Sequence, residues 1–191
     1  MQLVYDYIII LLIWVTFFVL EYPRAIIIPI LRQRYKVAYK EDRMSLWILF
    51  VPEIAVWLIF EAALIIGKGV LPMIFLYIGC AFIIAGLALR QWAISSLGIF
   101  WAPTVRILKR HKAVTLGPYK YVRHPSYTGA FMFYIGLGLI ARSPFAILLT
   151  LAILAPAFMY RVKVEEEALA KHVRGYAAYM RRTKMFVPRL V

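Results

Sequence analysis

The chain has 191 residues, 64% of them hydrophobic and only 17% charged, and its mean hydropathy is +0.79. A water-soluble domain of this length is about half apolar and about one-quarter charged, so a soluble protein is excluded and lipid is required. Twenty-three Lys and Arg against nine acids give a net charge of +14, but the cations fall in short blocks between long apolar runs, which excludes a nucleic-acid binder.

About 20 apolar residues cross a bilayer, and about 17 suffice. The first such run is Leu3 to Leu20, continuing past Pro23 as a broken helix. It lacks a basic leader and a small-residue cleavage site, so it reads as a span and not as a cleavable signal. The second is Leu46 to Ile66, closed by Gly67-Lys68-Gly69. The third is Leu71 to Leu89, and its lone Cys80 leaves no internal disulfide framework. A polar stretch, Arg90 to Tyr127, follows. Two short runs, Thr128 to Ala141 and Pro144 to Tyr160, then read as a helical hairpin broken at Arg142-Ser143-Pro144. The tail from Arg161 is charged and helical until Pro188.

Five spans place the two ends on opposite sides. With the C-terminus in the cytosol, the inside segments 32–43, 90–127 and 161–191 carry 5, 7 and 8 Lys or Arg, which is 20 of the 23. That asymmetry supports an N-terminus outside and a C-terminus inside. The length allows one compact unit, read as three N-terminal spans over 1–89 and a core over 90–191.

Four acids, Asp6, Glu21, Glu53 and Glu61, lie in or near the first two spans. Intramembrane carboxylates are costly and face a partner or a cavity. They read either as a wall of a site or as neutral packing groups.

In the C-terminal half, the two inside segments hold fifteen cations against three acids, and those acids are consecutive: Glu165, Glu166 and Glu167. Arg161 and Glu165 are i and i+4, so they share a helix face, which Leu169 continues. A helix start explains one or two acids there; a cationic ligand group explains the cluster. The segment Arg123-His124-Pro125-Ser126-Tyr127-Thr128-Gly129 lies where the loop re-enters the membrane. Pro125 keeps His124 extended, and Ser126 is placed to cap the next helix. On physics alone this is a helix start with interfacial anchors. The loop before it, Lys109 to Tyr121, turns at Gly117-Pro118 and carries rings at His111, Tyr119 and Tyr121. It reads as a ligand cradle or as a solvated connector. No dinucleotide fingerprint, no Cys/His cluster of metal spacing and no Ser-His-Asp set is present.

The block YKYVRHPSYTG, a short hairpin, and then RVKVEEEALAKHVRGYAAYMRR together resemble the isoprenylcysteine carboxyl methyltransferases. That wider group includes phospholipid N-methyltransferases. The resemblance runs from about Arg90 to Pro188. It implies an all-α integral membrane enzyme of about five transmembrane helices. Its cytosolic pocket for S-adenosyl-L-methionine would be formed by the 90–127 loop and the C-terminal helix. His111, Ala113 and Val114 would line the adenosine side, and Tyr119 would lie against the cofactor. His124, Pro125, Ser126 and Tyr127 would hold its methionine portion. Glu165 would meet its ammonium, with Glu166 the alternate. Arg161 and Arg90 would orient a lipophilic acceptor, foremost the carboxylate of an isoprenylcysteine-like substrate. Gly136 and Gly138 would frame a sideways opening to the bilayer. The expected partners are membrane lipids and a prenylated or small lipophilic substrate, with no nucleic acid, no metal and a monomer sufficing. Three other readings stay open: a phospholipid or small-molecule N- or S-methyltransferase, an NADPH-dependent sterol-type reductase, and a non-catalytic membrane scaffold.

Overall fold

The computed structural model describes residues 36–40, 44–66 and 70–187. The first predicted span with Asp6 and Glu21, the Gly67–Gly69 turn and Pro188 lie outside them. A short strand, β1 (Val37–Lys40), precedes helix α1 (Ser45–Ile66), and α2 (Ile74–Leu97) follows. A 3-10 turn (Gly98–Phe100), strand β2 (Arg106–Leu108) and a second 3-10 turn (Gly117–Lys120) make up the connector. The chain then forms α3 (Pro125–Ile140), α4 (Pro144–His172) and α5 (Tyr176–Arg182). Among the described residues, three helices are long and apolar enough to cross a membrane, within Trp47–Ile66, Ile74–Phe100 and Pro144–His172. The helical class expected from the sequence holds, with a two-stranded antiparallel ribbon, β1–β2, added to it.

The third apolar run was expected to end at Leu89, yet α2 continues two turns further. Ala93 and Ile94, 0% and 1% exposed, continue its buried face past the polar Arg90 and Gln91. The helix stops at Gly98, whose φ of 54° lies in the left-handed region. Arg90 therefore sits inside a helix and not at a span's end, and the boundary read at 89/90 falls within α2.

Helices α2 and α3 run antiparallel in backbone contact. Gly79 and Gly86 on one, and Gly129 and Gly136 on the other, are each seven residues apart. A Cβ on Gly86 would lie 2.6 Å from the Gly129 carbonyl oxygen, and one on Gly79 would lie 2.8 Å from that of Gly136. Small residues at this spacing let two membrane helices approach closely. Gly136 thus closes a seam, and Gly138 meets Ile147 of α4; neither frames the opening the sequence suggested.

Two cores result. Val56, Trp57 and Phe60 of α1 meet Ile83 and Leu87 of α2, Phe133 and Leu137 of α3, and Leu154 and Phe158 of α4. At the polar end, Val105 and Ile107 meet Val164 and Ala168 of α4, with Tyr176 and Tyr179 of α5. Helix α4 belongs to both. Ser143 caps it by accepting from the Ala146 N–H at 3.2 Å, with Pro144 next. Its 29 residues extend about 44 Å, against a hydrocarbon core of about 30 Å. The last two or three turns, with the three glutamates, therefore stand beyond the membrane interior.

Candidate active site

The turn that starts α3 is built by its proline. Pro125 takes the first helical position, which makes His124 the N-cap, at φ −126° and ψ 55° with no side-chain cap. Ser126 is consequently inside the first turn and does not cap the helix as expected. Its Oγ and its carbonyl oxygen instead face Arg90, whose guanidinium lies 3.1 Å and 3.4 Å away. One hydrogen-bonded pair thus joins the polar end of α2 to the turn.

Glu165 and Glu166, neighbours in sequence, face different ways. Tyr127 donates its hydroxyl to Glu165 Oε2 at 2.9 Å and accepts from Arg161 Nε at 3.2 Å. The expected face shared by Arg161 and Glu165 is therefore present, with a tyrosine between them. Arg161 is 2% exposed and also donates to the Pro103 carbonyl at 2.8 Å. Glu166 accepts from Arg123 Nε at 2.6 Å and from His124 Nε2 at 2.9 Å. A carboxylate in this pair only accepts, so Nε2 carries the proton. Arg123 continues to the carbonyls of Met180, at 2.9 Å, and Thr183. The backbone N–H groups of Arg123 and His124 donate to Lys184 and Met185. Glu166 therefore fastens the turn to α4, while Arg123 and the turn's backbone tie it to the C-terminal strap, residues 180–185.

These elements enclose a cavity of about 370 Å³, within the range of small-molecule sites. Helix α2 contributes Arg90 and Leu97; the following connector adds Phe100, Trp101, Ala102 and Pro103. From the loop come His111, Lys112, Ala113, Val114 and Tyr119, and from the turn Arg123, His124, Ser126 and Tyr127. Glu165 and Leu169 of α4, Tyr176 and Tyr179 of α5, and Leu49, Phe50 and Glu53 of α1 complete the wall. His111 stacks on Phe100 with ring centroids 4.5 Å apart. Burial, reinforced by the Glu165 charge, raises the Tyr119 hydroxyl far above the ordinary tyrosine range. The same influences act on Tyr176. Both phenols therefore stay protonated.

Nine of the sequence-derived candidates thus line one chamber: Arg90, His111, Ala113, Val114, Tyr119, His124, Ser126, Tyr127 and Glu165. Three do not. Pro125 shapes the turn, Arg161 stands behind Tyr127, and Glu166 stands behind His124. Sequence reading missed Trp101, Tyr176 and Tyr179; the i, i+3 tyrosines after Gly175 are the one pattern that marks them. Glu53 was singled out on charge alone and joins the wall from α1.

An apolar helical bundle of this kind, with three of its described helices long and apolar enough to cross a membrane, is the frame of an integral membrane protein. Residues 77–171 match the model of the Isoprenylcysteine carboxyl methyltransferase (ICMT) family. The chain is 30% identical over 114 residues to the "Protein-S-isoprenylcysteine O-methyltransferase" of Saccharomyces cerevisiae, covering 58% of this chain and 48% of that protein. It is 36% identical over 103 residues to the "Cobalt-zinc-cadmium resistance protein CzcN" of Cupriavidus metallidurans, covering 51% and 46%. Its fold matches the solved structure of the eukaryotic intramembrane Ras methyltransferase ICMT, with a TM-score of 0.58 and 27% identity, over 74% of this chain and 52% of that one. The chain spans about half the length of the curated relatives it matches. On these findings it belongs to the isoprenylcysteine carboxyl methyltransferase family.

Proposed function

We propose that the protein is a membrane methyltransferase that uses S-adenosyl-L-methionine to methylate a lipophilic acceptor, foremost the carboxylate of an isoprenylcysteine-like substrate. One observation carries the reading. Glu165, half-buried in the chamber wall, is held through Oε2 by Tyr127, while its Oε1 makes no hydrogen bond among the described residues and is left to receive an ammonium. The rest of the wall fits the same cofactor: the Phe100–His111 stack and Tyr119 suit an adenosine, and the Ser126 turn suits the amino-acid portion. When bound, that cofactor supplies a methyl group on a sulfonium, which is already activated.

The chain's own residues then have positioning to do. A carboxylate acceptor is a nucleophile at neutral pH, so the site needs alignment and exclusion of water more than a strong base. Arg90, on the chamber wall, is the group for an acceptor carboxylate, since a guanidinium grips one with two parallel hydrogen bonds. Arg161 acts through Tyr127 as a positioning residue, and Glu166 fixes the turn by holding Arg123 and His124. Residues 90–191 carry the methyl-donor side and the acceptor-holding Arg90, and Leu49, Phe50 and Glu53 of α1 complete the acceptor wall. The protein works as a monomer, with its N-terminus outside and its C-terminus cytosolic, as 20 of 23 cations on that side favour.

Glu53 supports a second acceptor. It is a carboxylate on the α1 wall and suits an amine, as on a phospholipid headgroup. The test is incubation of reconstituted protein with methyl-labelled cofactor and either an S-prenylated cysteine bearing a free carboxylate or an aminophospholipid. Label as a base-labile ester supports the first acceptor, and base-stable label on the lipid supports the second. Absence of label in either, and in a total membrane extract, overturns the enzyme reading.

A further inference from the structure

The β1–β2 ribbon pairs like charges. Lys40 stands directly opposite Arg106 in the antiparallel register. Lys36 accepts the backbone N–H of Lys109 at 3.1 Å, one step beyond the Val37–Leu108 pair. Cations opposite each other across two strands repel and weaken the pairing. Lys36, Lys40, Lys109 and Arg110 are all exposed, and none of them forms an ion pair among the described residues. Residues 32–43 carry five cations against two acids, and residues 106–112 carry four against none. A two-stranded ribbon is marginal by itself, so this one persists against its own repulsion only with help from elsewhere.

Help on one face is visible. Ile107 and Val105 are buried against α4 and α5, and Tyr39 stacks on His172 at 4.1 Å between ring centroids. That contact anchors the apolar face and leaves the cationic side unneutralised. It also uses Tyr39, the one aromatic ring among the described strand residues 37–40 and 106–108, so none of these is left for a nucleic-acid base. The ribbon is leashed to the bilayer at both strands. Lys40 lies seven residues before Trp47, where the first described membrane-length segment begins, and Arg106 lies six residues after Phe100, where the second ends. Even fully extended, these leashes reach no more than about 25 Å and about 20 Å.

We propose that the ribbon is a binding site for anionic phospholipid headgroups of the adjacent leaflet, whose phosphates neutralise the opposed cations and hold the ribbon against the membrane. An anionic leaflet attracts juxtamembrane Lys and Arg over about one Debye length. Because Val105, Ile107 and Ala113 share the polar core with Leu169 and Tyr176, headgroup binding also steadies one side of the chamber. The inference stands on the membrane fold and holds whatever the chemistry of the chamber.

The test is hydrogen exchange of the amides of 36–40 and 106–112 in nanodiscs of phosphatidylcholine alone or with about one-third phosphatidylglycerol. Exchange is expected to slow several-fold in the anionic discs. That difference should vanish in K36Q/K40Q/K109Q/R110Q, a neutral variant that leaves the chamber wall untouched. Equal exchange in the two discs, or slowing that persists in the neutral variant, overturns the proposal. Slowing in phosphatidylcholine discs on adding inorganic phosphate alone would assign the site to a soluble anion and overturn it too. None of these readouts uses a methyl donor, so failure of the enzyme reading leaves them intact.

Discussion

Tyr127 is the residue on which the site turns. Its hydroxyl joins Arg161 and Glu165, so Tyr127→Phe removes both hydrogen bonds and keeps the ring packed edge-on against Phe158. Net hydrogen bonds to charged groups contribute about 1.5–3 kcal/mol, and cofactor affinity is expected to fall about tenfold or more, read by calorimetry. The two glutamates separate cleanly. Glu165→Gln should weaken the cofactor and leave the melting temperature nearly unchanged. Glu166→Gln should instead destabilise the fold by about 1.5–3 kcal/mol, because it takes the counter-charge from the Arg123 guanidinium, 10% exposed, and leaves it only the Met180 and Thr183 carbonyls and a neutral amide. A melt showing the reverse order would contradict the division of roles. Sequence spacing reveals that Arg161 and Glu165 share a face, since both lie on one helix. It cannot reveal that Tyr127, 34 and 38 residues earlier, bridges them, nor that Glu166 turns away to hold Arg123.

Among the elements, the α2–α3 seam and α5 carry the sharpest expectations. Gly86 has a backbone oxygen where a side chain would go, so Gly86→Val forces two helices apart. Overpacking of this kind costs about 1–3 kcal/mol, and a melt in detergent should show the loss, with Gly98→Ala, in open space, as the comparison for backbone strain alone. On α5, Tyr179 donates to the Tyr119 carbonyl at 2.7 Å. Burial pushes its hydroxyl from the ordinary 10.0 up to about 12. A raised value means the unfolded chain ionises first. The stabilisation is full below pH 10 and is lost as the pH climbs through about 12. Melting temperature should therefore drop across that window as tyrosinate absorbance rises, and Tyr179→Phe should flatten the drop. The apolar runs disclose α1, α3 and α4 as far as Tyr160, because lipid demands them. The end of α2 past Arg90 and the β1–β2 ribbon stay hidden in the sequence: each is set by contacts with distant segments, Ala93 and Ile94 in one case and the α4–α5 core in the other.

At the scale of the molecule, two walls of unlike origin meet. Most of the chamber wall lies within residues 77–171, the span of the family match, while Leu49, Phe50 and Glu53 reach it from α1, outside that match. Acceptor choice is assigned to this second wall. Glu53→Gln should change the acceptor KM and leave cofactor affinity as it was; equal changes in both would place Glu53 on the donor side. The central claim is that the chamber holds S-adenosyl-L-methionine through Glu165, and calorimetry on the protein in nanodiscs tests it most directly. Saturable binding weakened at least tenfold by Glu165→Gln is predicted, and binding unaffected by that change, or no binding by the intact protein, would contradict it.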